Sequence, residues 1–172
     1  IPGHTSENRR FIPFGFLDKA VIVGNSCFSL PEAQQVHFGV LQSTMHMAWV
    51  RYTCGRLKSD FRYSKDIVYN NFPWPEGPTE KQRGAIEEGA RGVLAAREAF
   101  PDSTLADLYD PLTMPAVLVK AHARLDKAVD AAYGYKGKPT DAERVAFLFE
   151  LYQKYTSLFP AEAKAVRRRR KA

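Results

Sequence analysis

Hydrophobic and polar positions divide the chain into two unlike halves. Up to about residue 75 the apolar residues are aromatic or β-branched and are interrupted by Pro and Gly; from Pro78 onward they are mostly Ala and Leu at three- and four-residue steps. Residues 10–16 and 20–30 read as strands, the second carried by Val21, Ile22 and Val23, whose branched side chains favour a pleated, half-buried surface. Residues 36–52 read as one helix. Val40, Leu41, Met45, Ala48, Trp49 and Tyr52 form its apolar stripe, leaving Gln42, His46 and Arg51 near the rim. Gly55 is a helix stop, and residues 56–63 and 66–69 read as two further strands. Pro73, Pro75 and Pro78 make residues 72–78 a linker, because proline supplies no ladder donor and does not continue a helix.

The second half carries helix punctuation. Thr79 with Gln82, and Thr140 with Glu143, fit the capping box, in which hydroxyl and carboxylate or amide satisfy two orphan backbone donors. Leu118, Ala121, Leu125, Val129, Ala132 and Tyr133 form one stripe, stopped by Gly134. Ala142, Val145, Phe149, Tyr152, Tyr155 and Phe159 form another, and Ile86, Ala90, Val93 and Leu94 a weaker third. With a short turn at residues 105–109 these predict a compact helical bundle. The expected fold is α+β: an antiparallel-strand subdomain with one packed helix at residues 1–77, an all-α bundle at 78–160, and a basic, flexible tail at 161–172.

Charge changes this picture less than its total implies. The formal net charge is +6, but Arg167, Arg168, Arg169, Arg170 and Lys171 lie in one run, and without them 20 basic residues face 19 acidic ones. The run reads as a disordered tail, with a helper role in holding DNA as the alternative. Any case for nucleic acid therefore has to come from local arrangement. The chain opens at Ile1 with no signal stretch and no run of eighteen apolar residues, so a piece of a longer cytoplasmic polypeptide with no membrane partner is expected. Cys27 and Cys54 form no CxxC pair and are expected as reduced, buried thiols.

The segment with chemical content is residues 55–63. On one strand Arg56, Lys58, Asp60 and Arg62 would share a charged face while Leu57, Phe61 and Tyr63 pack behind it. A lysine beside a carboxylate suits a G·C pair in the major groove, the amine donating to guanine O6 or N7 and the carboxylate accepting from cytosine N4. Arg51, Arg56, Arg62 and Lys65 would hold phosphates, which sets register without reading sequence. The alternative is a solvated strand face with an ion pair. Ser43 and His46, one helical turn apart, could form part of a hydrolytic site, but with no third orienting group they read as a helix-surface pair. Asn70-Asn71-Phe72-Pro73-Trp74 reads as a turn: it lacks the adjacent prolines of an adenine-methylase motif, and no glycine-rich strand-to-helix turn precedes it.

Three runs carry a family likeness: residues 37–49, residues 55–64 from Gly55 to Ser64, and residues 67–75, Ile-Val-Tyr-Asn-Asn-Phe-Pro-Trp-Pro. Together they resemble the C-terminal half of the target-recognition domain of MmeI-like type IIL restriction-modification enzymes. Residues 105–115, 125–130 and 143–152 resemble the helical C-terminal domain of the same family. The resemblance implies a non-catalytic, double-stranded-DNA-reading piece of an adenine-N6 methyltransferase, partnered by the methyltransferase domain of the same polypeptide. It implies that the positions of Lys58 and Asp60 read one base pair, with guanine favoured by this combination, and that Ser43 and Ser64 join the supporting contacts. No cofactor is expected here; S-adenosylmethionine and Mg2+ belong to absent domains. The rival expectation is an interaction module whose bundle docks on that methyltransferase domain or on a second subunit.

Overall fold

The computed structural model describes residues 1–157. Phe159, the end of the bundle and the basic tail lie outside the described residues. In chain order the elements are β1 (His4–Thr5), α1 (Gln35–Leu41), α2 (Thr44–Thr53), β2 (Gly55–Leu57), β3 (Asp60–Arg62), a π-helical turn (Lys65–Tyr69), α3 (Glu80–Glu98), α4 (Leu105–Leu108), α5 (Ala116–Tyr133) and α6 (Asp141–Thr156). The strands form one antiparallel sheet in the order β1-β3-β2. The α+β reading holds, with helix dominating.

The single helix expected at 36–52 is broken at Gln42–Ser43. Ser43 has extended backbone, and its Oγ accepts from the His46 amide at 3.3 Å while donating to the Val40 carbonyl at 2.6 Å. A serine satisfying both a helix start and a preceding carbonyl competes with helix continuation. From α5, Asp126 reaches across to accept from the Thr44 amide at 2.7 Å, adding a second cap. The break turns α2 against α1, so Gln42, Ser43 and His46 are buried and Tyr52 faces outward.

Residues 10–16 and 20–30 are not strands. Apart from a bridge between Pro2 and Cys27 this stretch is irregular, and Ile22 is 95% exposed. Branched residues favour strands only when a ladder partner and a packing surface are present. Residues 66–69 are likewise helical: Ser64 Oγ accepts from the Ile67 amide at 3.3 Å, and Asn71 Nδ2 donates to the Asp66 carbonyl at 2.7 Å. The turn buries Val68, whose carbonyl accepts from Trp49 Nε1 at 3.0 Å.

In the second half the punctuation is as read. Thr79 and Gln82 form the full capping box of α3, Thr140 Oγ1 accepts from the Glu143 amide at the start of α6, and α5 ends on Gly134 at φ +64°. The face of α6 differs: Val145, Leu148 and Arg144 are buried, while Ala142, Phe149 and Tyr155 are exposed. A bidentate pair between the Arg144 guanidinium and Asp130 of α5 draws that face inward. Cys27 is exposed and Cys54 half-buried, which overturns the buried reading of Cys27; both are unpaired.

The composition boundary near residue 77 does not divide the core. Met45, Trp49, Val68 and Phe72 belong to one cluster with Ile86, Val93, Leu118, Leu125 and Leu148. Phe72 and Pro73 of the presumed linker are buried, and Tyr133 Oη donates to the Pro73 carbonyl at 2.9 Å. At the crossing of α1 and α3, a Cβ on Gly39 would lie 2.6 Å from Ile86 Cγ2, so only glycine lets the helices approach this closely. A buried polar network joins the halves: Gln42 Nε2 donates to the Ile12 carbonyl at 2.7 Å, and Arg97 donates to Tyr109 Oη at 2.9 Å and to the Phe14 carbonyl at 2.7 Å.

Candidate nucleic-acid interface

The segment 56–63 is a hairpin, not a strand. Leu57 pairs with Asp60 across a two-residue turn, Lys58–Ser59, and Lys58 takes φ +56°. A tight hairpin needs left-handed backbone at its turn to match strand twist, and glycine is the usual choice for it. Here a lysine holds that position, at the tip, exposed, with no hydrogen bond or ion pair among the described residues.

The reversal reassigns the faces. Asp60 and Arg62 lie on the outer face with Leu57 and His4, whereas Arg56 pairs with Phe61 on the inner one. The all-charged face is therefore corrected: Leu57 is exposed, and Arg56 stacks on Phe61 with its guanidinium carbon 4.2 Å from the ring centroid. Arg56 also donates to the Ser59 carbonyl at 2.8 Å and pairs with Glu7 at 3.3 Å, so it props the turn from beneath. Asp60 Oδ1 accepts from the Glu7 amide at 3.3 Å, and Oδ2 has no partner among the described residues. Phe61 and Tyr63 are buried as expected.

The other candidates divide sharply. Arg62 and Lys65 are exposed, and Ser64 caps the π-helical turn that begins at Lys65, so it sets where that lysine leaves the surface. Arg51 is not a free rim cation: it pairs with Asp141 at the start of α6 at 2.7 Å. Ser43 is fully buried and cannot touch a ligand. The hydrolytic pair dissolves with it. Ser43 meets His46 only through the His46 main-chain amide, and His46 Nε2 instead bonds Tyr63 Oη at 3.1 Å inside the core. Burial holds the His46 pKa down at about 3 and pushes Tyr63 far above its ordinary value. The Asn70–Asn71 turn reading stands, with Asn71 bracing the π-helical turn.

One element of this surface was invisible to the sequence reading. Gly3 donates to the Ser26 carbonyl and Phe28 to the Ile1 carbonyl, both at 2.7 Å, so residues 26–28 lie antiparallel to residues 1–3, just ahead of β1. Residues 27–30 share a hollow with Tyr63, Lys65 and Tyr69, and the loop before them exposes Leu17, Val21 and Ile22. Three exposed apolar residues in one loop are the available signal, and alternation misread two of them as a half-buried strand.

Two family models match this chain: "MmeI, target recognition domain" over residues 1–76 and "MmeI, C-terminal domain" over residues 78–159. A protein of Bacillus subtilis (strain 168) named DNA methyltransferase A is 42% identical over 156 residues, which is 91% of this chain and 18% of that protein. The solved structure of the type IIL restriction-modification enzyme MmeI in complex with DNA aligns with a TM-score of 0.89 and 56% identity, over 92% of this chain and 21% of that one. The chain thus spans about a fifth of the length of these relatives. Among the described residues no helix is long and apolar enough to cross a membrane. The hairpin, the helices packed behind it and the two contiguous domain matches lead to one assignment: the chain belongs to the MmeI family, as its target-recognition domain joined to its C-terminal domain.

Proposed function

We propose that this chain reads one end of a double-stranded DNA target for a larger adenine-N6 methyltransferase and restriction enzyme, with the hairpin tip entering the major groove. The observation that carries the reading is an exposed lysine, held in a left-handed turn, two residues from a carboxylate with one free oxygen. The Lys58 amine donates to guanine O6 or N7, and Asp60 Oδ2 accepts from cytosine N4. The Glu7 amide fixes Asp60 through its other oxygen, and Arg56 stiffens the turn, so both reading groups are positioned before DNA arrives. Arg62 and Lys65 hold phosphates.

Chemistry on the flipped adenine lies elsewhere in the parent. Its methyl donor, S-adenosylmethionine, and the nuclease Mg2+ belong to parts outside these residues, and the methyltransferase domain of the same polypeptide is the partner that receives the base. The test is to combine Lys58→Glu with Asp60→Arg in the intact enzyme and sequence the methylated sites. Donor and acceptor change places, so the preferred pair at one terminal position inverts from G·C to C·G. An unchanged motif refutes the reading.

A further inference from the structure

Helices α3 and α5 each bury one stripe in the core, through Ile86, Ala90 and Val93 on one and Leu118, Leu125 and Val129 on the other. Their remaining sides meet in an open trough of about 820 Å³, lined by Ala85, Gly92 and Ala95 of α3, by Ala99 just past its end, and by Ala121 and Ala128 of α5. Solvent faces of helices ordinarily carry charged and polar side chains. This floor is carbon, and its lining residues include three cations, Arg91, Lys120 and Arg124, against one carboxylate, Glu88. None of the three cations forms an ion pair among the described residues.

Gly92 is an independent observation. It sits inside a nineteen-residue helix, where glycine is a poorer choice than alanine. A Cβ built there meets nothing within 4 Å, so no packing among the described residues excludes a side chain. Gly89, one turn away, contrasts with it: its Cβ would come 3.0 Å from Leu125 Cα, so the α3–α5 crossing itself accounts for that glycine. A bare Cα on the trough floor is what close approach of another backbone calls for.

We infer that the trough seats an α-helix from the part of the parent polypeptide outside these 172 residues, one with a small-residue or leucine face and acidic flanks. The chain is 18% and 21% of the length of its matched relatives, so some four-fifths of such a protein is available to supply it. The unpaired cations supply the complementarity to carboxylates on its flanks. A second copy of this chain fits less well, because a twofold contact would set the same cationic rim against itself. DNA fits less well too, because the apolar floor between the cations would be covered by a polar, charged backbone with which it makes no favourable contact. The inference rests on the reading of the chain as part of a larger enzyme, and the two fail separately.

The test uses the full-length enzyme with the photo-cross-linking residue p-benzoylphenylalanine in place of Lys120. The expected product is an intramolecular cross-link to an acidic helical peptide outside these residues. Gly92→Leu, which fills open space in this chain, lowers that yield at least fivefold while the methylated motif stays the same. The exchange of Lys58 and Asp60 does the reverse, changing the motif and sparing the cross-link. Cross-linking to a second copy or to DNA, no cross-link at all, or a yield indifferent to Gly92→Leu overturns the inference.

Discussion

Lys58→Gly separates what the hairpin tip contributes to folding from what it contributes to recognition. Lys58 adopts φ +56°, where a Cβ crowds the neighbouring carbonyl at a cost of about 1–2 kcal/mol. Glycine removes that strain but adds about 0.5–1 kcal/mol of backbone entropy to be lost on folding. Lys58 makes no bond among the described residues, so nothing else is forfeited. The net expectation is a gain of roughly 0.5–1 kcal/mol, which for a chain of this size raises Tm by about 1–4 °C. Discrimination at one base pair should fall at the same time, by up to about 1–3 kcal/mol. The assays are scanning calorimetry and competition binding of duplexes that differ at the terminal position. A more stable protein that has lost discrimination is the outcome required, since strain retained at a tip with no internal role marks a functional position. A drop in Tm refutes the account of the turn, and unaltered discrimination refutes the role of the lysine.

Lys65→Ala should weaken binding to all duplexes alike and flatten the slope of log K against log salt by about 0.9, as one lost phosphate contact requires; an unchanged slope in a salt titration removes Lys65 from the interface. Gly39→Ala should destabilise by roughly 1–2 kcal/mol in urea unfolding, because a Cβ 2.6 Å from Ile86 Cγ2 forces α1 off α3, outweighing the helix-propensity gain. Acid should destabilise the fold. His46 and His122 are held at about 3 by burial, with the Arg97 charge adding to the effect at His122, so the unfolded chain takes up two protons below pH 6.5 that the folded chain refuses. Asp126, raised by burial to about 6, opposes this by taking up a proton in the folded state first. Between pH 6 and 4 the unfolded state therefore gains about one proton net, and stability falls by on the order of 1 kcal/mol per pH unit. Asp126→Asn removes the opposing group and roughly doubles the steepness of the fall; urea midpoints across this range check both slopes.

The amino-acid sequence alone determined whatever depends on neighbours a few residues apart. Thr79 with Gln82, Thr140 ahead of Glu143 and Gly134 after Tyr133 place their helix ends by local hydrogen bonds and backbone freedom, and the α5 stripe follows from 3.6-residue spacing. The juxtaposition of Lys58 and Asp60 was legible for the same reason, since donor and acceptor lie two residues apart. What surrounds them was settled in three dimensions. A strand and a two-residue hairpin share the same alternation, and the reversal at Lys58–Ser59 arises because β1 and β2 both have β3 to pair with. Gln42 and His46 read as rim residues until Asp126, 82 positions away from Thr44, caps α2 and the break ahead of it turns them inward. Val21 and Ile22 prefer strands, yet hydrogen bonds from Gly3 and Phe28 fasten only the base of their loop and leave its apolar tip in solvent. Partners distant along the chain decide which face of each element is buried, and local spacing carries no record of them.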